Sequence, residues 1–182
     1  MRSSPIVVVA YDPAWPALFE QLCAGLWPAL RDLASAIEHV GSTSVPGLAA
    51  KPVIDMDIVV PGPAAMAQVI ERLGHLGYQH RGNLGIDGRE AFQHPPGLPA
   101  HHLYACVVDG VALANHLAVR DYLRAHPATA ERYGRLKMQL ADAFPHDIDA
   151  YVAGKTDMLL DILRESGFPT SQLDEIAQAN RL

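Results

Sequence analysis

The chain has 182 residues, of which 49% are hydrophobic and 19% charged, with a net charge of −6 at neutral pH and a pI near 5.8. That length holds one core and excludes two full-sized domains, and the composition excludes extensive disorder. The acidic balance argues against a broad basic surface for nucleic acid, leaving a small partner as the expectation.

The first element predicted is a short strand, Ile6–Ala10, too brief an apolar run for a secretory leader. Asp12 and Pro13 follow as a helix-start signal, and Leu18, Phe19, Leu22, Leu26, Leu30 and Leu33 recur at helical spacing through roughly Leu33, with Pro28 placed to kink or split the helix. Ala36–Val40 is a strand and Gly41–Ala50 a loop, with or without a short helix. Pro52–Val60 is a stronger strand, and Ala64–Leu76 a helix closed by Gly77. From Tyr78 to Pro99 the chain is rich in Gly, Pro and His, with Glu90–Gln93 as its best strand. His101–Val108 is the next strand, turned at Asp109-Gly110.

Beyond it the pattern is helical: Asn115–Ala125, Ala128–Ala143 and Asp147–Ser166, separated at Pro127 and Pro145. Ser171 with Asp174 is a weak capping box for a terminal helix, Ser171–Ala179. The expected organisation is a single α+β domain over 1–182. It has a small mixed sheet with helices in residues 1–110, a helical half in 111–170 and a terminal segment in 171–182. No stretch approaches a membrane span. Cys23 and Cys106 lack CxxC spacing, which fits a reduced compartment and a cytoplasmic location.

The stretch "HVGSTSVPGLAAKPVIDMDIVV", His39 to Val60, carries the chemistry. In a strand, residues two apart share a face about 7 Å apart, so Asp55 and Asp57 face one way and Ile54, Met56 and Ile58 the other. Two like charges so placed repel unless a cation sits between them, and magnesium, or manganese, suits carboxylates that share their ion with phosphates. Upstream, Gly41 permits an unusual backbone conformation, and Ser42, Thr43 and Ser44 offer hydroxyls and amides to a phosphate. Lys51 adds a positive charge, but its distance from Gly41 is not that of a P-loop. The duller alternative is a half-buried strand whose carboxylates pair with Lys51 or an Arg.

A Gly-Ser turn followed by Asp-hydrophobic-Asp resembles the nucleotidyltransferase superfamily with the DNA polymerase β-like fold. The longer phrase, with "GREAF", "HHL", "RDYLRAHP", "YGRLK" and "YVAGK", resembles the GrpB family (UPF0157) from about Ile6 to Ser166. The resemblance implies a small mixed sheet with Asp55 and Asp57 on a central strand. It implies binding of a nucleoside triphosphate with Mg2+ through Asp55, Asp57, Gly41 and Ser42 to Ser44. His102 would act as base or ligand, and Lys51, Arg89, Lys137 or Lys155 would hold phosphates. The superfamily's third carboxylate is missing from "HHLYACVV", where His102 takes the corresponding position and Tyr104 stands where the GrpB pattern has a second His.

Arg120 and Asp121 fit either a structural ion pair or a ligand contact. Tyr133 with Lys137, and Tyr151 with Lys155, are each four apart and share helix faces. His75, His80, His94, His116 and His126 fit no ligand spacing. Three functions follow: a nucleotidyltransferase; a non-catalytic module binding a nucleotide, CoA or a CoA precursor, as in GrpB-like domains fused to dephospho-CoA kinase; and a zinc or manganese hydrolase using His101, His102 and the Asp pair.

Overall fold

A computed structural model of the chain describes residues 5–173 and 176. Among them, five strands form one sheet in the order β1-β2-β5-β4-β3. They are β1 (Ala36–Val40), β2 (Ile54–Val60), β3 (Gln79–His80), β4 (Arg89–Gln93) and β5 (His101–Val107). β2 is antiparallel to β1 and parallel to β5, while β4 runs antiparallel to both β5 and β3. This is a mixed α+β fold, as the resemblance implied.

Period-two alternation in β2 divides the molecule into layers. Ile54, Met56, Ile58 and Val60 point into a core closed by α1 (Trp15–Leu30), through Leu22, Leu26 and Leu30, and by α2 (Pro63–His75), through Met66, Val69 and Leu73. The opposite face meets α3 (Val111–Ala125), whose Ala112 and Leu113 pack on Val59 and Cys106. Behind it lie α4 (Pro127–Ala143) and α5 (Ile148–Glu165), which join α3 through Leu123, Ala130, Tyr133 and Ile162. Asp147 caps α5 by accepting a hydrogen bond from the Ala150 amide at 2.9 Å.

Several expected boundaries shift for physical reasons. Ile6–Ala10 is not a strand. It makes only a bridge between Val9 and Ala50, and the Ile6 amide donates to the Pro145 carbonyl, so the segment lies along a loop rather than the sheet. Asp12 precedes α1 by three residues, and its carboxylate accepts from the Ala14 amide while its carbonyl accepts from Trp15. Pro28 lies within α1, which ends two residues beyond it instead of reaching Leu33.

β2 begins at Ile54, because the Val53 amide is turned back to the Lys51 carbonyl. α3 starts four residues earlier than expected. Gly110 makes that turn, where a side chain would come within 2.9 Å of the Val107 carbonyl. The terminal helix expected over Ser171–Ala179 lies largely outside the described residues, in which a 3-10 turn spans Thr170–Gln172. No helix among the described residues is long and apolar enough to cross a membrane.

Candidate functional site

The connection from β1 to β2 brings a tight turn against the carboxylate face. Gly41 takes φ +67°, and a Cβ there would stand 2.7 Å from Asp55 Cγ and closer still to Asp55 Oδ2. Only glycine offers both that conformation and that space. The turn continues as a 3-10 helix, Ser42–Ser44. Thr43 is buried with its hydroxyl 3.0 Å from His39 Nε2, and the Ser44 hydroxyl donates to the Gly41 carbonyl at 2.6 Å, so both brace the turn. Ser42 alone of the three lines the adjoining cleft.

From outside, Arg124 donates through Nε and Nη2 to the Ser44 carbonyl. Arg120 is held by Glu38, Asp121 and the His39 carbonyl, so the "RDYLR" arginines lock the turn in place.

On β2, Asp55 stands opposite His102 and Asp57 opposite Tyr104, so all four side chains share one face. His102 Nδ1 lies 2.8 Å from Asp55 Oδ1, with both side chains partly exposed. Asp57 is completely buried, and its Oδ2 lies 2.7 Å from Nδ1 of His116 on α3. Burial works against a charged His116 ring. The charge and hydrogen bond of Asp57, with the charge of Asp55, outweigh it and raise its pKa above the ordinary value. Asp57 Oδ1 is buried and has no hydrogen-bond partner.

The cations enter from the helical half. Lys137 of α4 is 2% exposed, sits 4.6 Å from the Tyr133 ring, and donates from Nζ to the Ser42 hydroxyl at 2.6 Å. Lys155 of α5 and Lys51 of the loop approach the Tyr151 ring at 5.1 and 5.9 Å. Burial, then the charges of Lys155 and Lys51, bring Lys137 down to about 7 against a partial offset from Asp55. Burial and Lys51 bring Lys155 down to about 8. Three ammonium groups so close, with one carboxylate to offset them, form a site short of negative charge.

A cleft of about 240 Å³ runs between the sheet face and α3 and α5, with Gly41, Ser42, Asp55, Tyr104, Asn115, His116, Tyr133 and Lys155 among its lining residues. Of the residues selected from sequence, Gly41, Ser42, Asp55, Asp57, His102, Lys51, Lys137 and Lys155 therefore converge. Arg89 of β4 instead stands over the Tyr104 ring, its guanidinium carbon 4.6 Å from the ring centre, with one weak bond from Nη2 to the Asn83 carbonyl.

His101 is on the opposite face of β5. Its Nδ1 meets the Pro99 carbonyl and its Nε2 the Tyr78 hydroxyl, so it cannot join the Asp pair in the hydrolase arrangement. His116 and Asn115 were not selected from sequence as site residues. His116 sits on a helix 59 residues from its partner Asp57 on β2, Asn115 beside it lines the cleft, and no local spacing announces either.

The donor set bears on a metal ion. Among the described residues no three His, Cys, Asp or Glu side chains form a set able to hold one. Two carboxylates on one face, one with an unsatisfied buried oxygen, fit an ion that completes its shell with ligand phosphates and water, as magnesium prefers.

Comparison with known proteins places this architecture. The family described as GrpB protein matches residues 5–165. "UPF0157 protein YqkA" of Bacillus subtilis is 38% identical over 154 residues, covering 85% of this chain and 45% of that protein, so this chain spans under half of that relative. A "Dephospho-CoA kinase" of Mycolicibacterium paratuberculosis is 30% identical over 188 residues, covering 90% of this chain and 46% of that one. Among solved structures, GrpB of Enterococcus faecalis aligns with a TM-score of 0.80 at 36% identity, covering 93% of this chain and 99% of that one. The Cid1 poly(U) polymerase, described as MgGTP bound, aligns at 0.53 and 12% identity over 75% of this chain and 44% of its own, a likeness of fold alone.

Proposed function

This chain belongs to the GrpB family, and from that premise we propose that it binds a nucleoside triphosphate with Mg2+ and transfers the nucleotidyl group to an acceptor hydroxyl. The observation that carries this reading is the convergence of Lys51, Lys137 and Lys155 with Ser42 beside two carboxylates on one strand face. The lysines and the Ser42 hydroxyl bind the β- and γ-phosphates, whose charge returns Lys137 to its protonated form. Asp55 and Asp57 would hold the magnesium, and the chemistry it would supply there is polarisation of the α-phosphate and neutralisation of developing charge.

The acceptor oxygen then attacks the α-phosphorus, the bond to the bridging oxygen of the β-phosphate breaks, and pyrophosphate leaves toward the lysines. His102, tied through Nδ1 to Asp55, offers its other ring nitrogen to the acceptor proton.

A second reading has its own support. β5 presents His102 and Tyr104 where a third carboxylate would complete a two-metal site, and one relative is described as a dephospho-CoA kinase. On that reading the chain is an accessory module that binds a nucleotide or CoA precursor without transferring anything.

Calorimetric titration with ATP, CTP, GTP, UTP, tripolyphosphate and dephospho-CoA, with and without Mg2+, on the native chain and Asp55→Asn tests both. The transferase reading expects magnesium-dependent triphosphate binding that Asp55→Asn weakens at least tenfold, followed by pyrophosphate release once an acceptor is supplied. Triphosphate binding indifferent to magnesium and to Asp55→Asn sinks it, and tight metal-independent binding of dephospho-CoA favours the accessory module.

A further inference from the structure

Lysine is rare in this chain. Of its 14 basic residues only Lys51, Lys137 and Lys155 are lysines, and all three meet at one site. Elsewhere the chain uses arginine, including Arg120 and Arg124, which brace the turn. Arginine is the better clasp for a phosphate, because its fork bonds two oxygens at once, but its guanidinium never gives up a proton. An amine that loses its proton becomes a nucleophile, and burial beside another cation is a setting that brings this about. The three lysines have that setting. Among the described residues none of them is ion-paired to a carboxylate, and Lys51 and Lys155 share the Tyr151 ring. Lys137 is enclosed and its Nζ is bonded to Ser42, so it has little access for chemistry of its own. Lys155 is half-buried and alone of the three lines the cleft. Its pKa of about 8, set by burial and then by Lys51, leaves a substantial share of it neutral near physiological pH.

We propose that Lys155 is an acylation site for acyl phosphates, and that its acylation closes the site to polyphosphates. The phosphate group of the donor rests against Lys51, Lys137 and the Ser42 hydroxyl, and its carbonyl carbon lies beside Lys155 Nζ. The amine lone pair forms the new C–N bond, the bond from the carbonyl carbon to the phosphate oxygen breaks, and orthophosphate leaves toward Lys51 and Lys137. The nitrogen releases its proton to water, and Lys155 ends as a neutral amide. The inference rests on the polyphosphate reading of Ser42 and the lysines and adds a means of regulating it. The amide removes one of the three positive charges and puts the acyl group in the cleft that Lys155 lines, so a triphosphate loses both attraction and space. Protection runs the other way as well. A bound triphosphate brings enough negative charge to hold Lys155 as the ammonium ion, whereas an acyl phosphate dianion is matched by Lys51 and Lys137 and leaves the third amine free to react.

The test treats the full chain with acetyl phosphate, with and without tripolyphosphate and Mg2+, and maps acetylation of each lysine by peptide mass spectrometry. After the reagents are removed, calorimetric titration with tripolyphosphate reads the affinity. Lys155 should be acetylated roughly tenfold faster than Lys51 or Lys137, and tripolyphosphate should suppress that reaction. The acetylated chain should bind tripolyphosphate roughly tenfold more weakly while still unfolding in a cooperative transition. Chain treated under tripolyphosphate protection should keep its affinity. Four results overturn the acylation site and leave the phosphate site standing: Lys155 acetylated no faster than the other two lysines, acetylation indifferent to tripolyphosphate, an acetylated chain that binds tripolyphosphate as the untreated chain does, or the same preference for Lys155 with N-acetylimidazole, which carries no phosphate to seat. Loss of the unfolding transition on acetylation also overturns it, since the lost binding would then report unfolding. Failure of tripolyphosphate to bind the untreated chain overturns the phosphate reading and the acylation site with it.

Discussion

At Lys137 an ammonium group is taken out of water, tied to Ser42 and crowded by two like charges, which brings its pKa down to about 7 from an ordinary 10.5. The folded chain therefore gives up a proton that the unfolded chain keeps between those two values. Its stability rises with pH across that window and is lowest, and flat, below it. Binding of a phosphate chain reverses the shift, because the new negative charge favours the ammonium form. At pH 8 the association should take up close to one proton, with a further fraction from Lys155, and at pH 6 almost none. Titration in buffers of different ionisation enthalpy reads the number directly. Equal proton uptake at both pH values would mean that Lys137 does not meet the phosphates. Asp57 shows the opposite economy, since its burial is offset by His116 on one oxygen while the other has no hydrogen-bond partner.

The elements matter for how closely they let these groups approach. The turn from Gly41 to Ser44 is held on three sides: by Asp55 against Gly41, by His39 on Thr43, and by Arg124 on Ser44. Gly41→Ala places a methyl group where Asp55 already is, at a backbone angle that side chains rarely adopt. It should cost about 2 kcal/mol or more and displace Ser42 from Lys137. Thermal unfolding should show the loss, and tripolyphosphate affinity should fall with it. Unchanged stability and affinity would show that the turn relaxes freely.

The helices are fitted as tightly. Gly154 of α5 faces the Leu140 side chain of α4, and a methyl group in place of its hydrogen would stand only 3.1 Å from Leu140 Cδ1 and closer still to Cδ2, so α4 and α5 approach closely beside Lys155. The expected elements were legible here because helix and strand periods are local. Their ends were not, because Pro28 and Gly110 act through the third dimension as well as through the chain.

For the whole molecule, the site is a seam. Gly41, Ser42, Asp55 and His102 come from the sheet-bearing half and Lys137, Lys155 and His116 from the helical half, so a ligand that fills it bridges the two. Saturation at one hundred times the dissociation constant should stabilise the folded state by about 2.7 kcal/mol. For a chain of this size that is roughly 5–10 °C in the unfolding midpoint. One cooperative transition, shifted as a unit by tripolyphosphate, is the expected record in differential scanning calorimetry. Two transitions, of which only one moves, would mean that the halves unfold independently and that the ligand does not span them.

By itself the sequence determined the α+β order, the turn at Gly41 and the shared face of Asp55 and Asp57. Each of these follows from steric and periodic rules that operate over a few residues. It also carried, through the resemblance of its motifs, the family and the fold. Only the tertiary structure decided that Ser42 would meet Lys137 across 95 residues, that His116 would serve Asp57 across 59, and that His101 would turn away while His102 stayed. The same structure left Arg89 over the Tyr104 ring. Those outcomes depend on strand register and on which helix faces pack together, and both are set by burial summed over the whole core rather than by any neighbourhood in the chain.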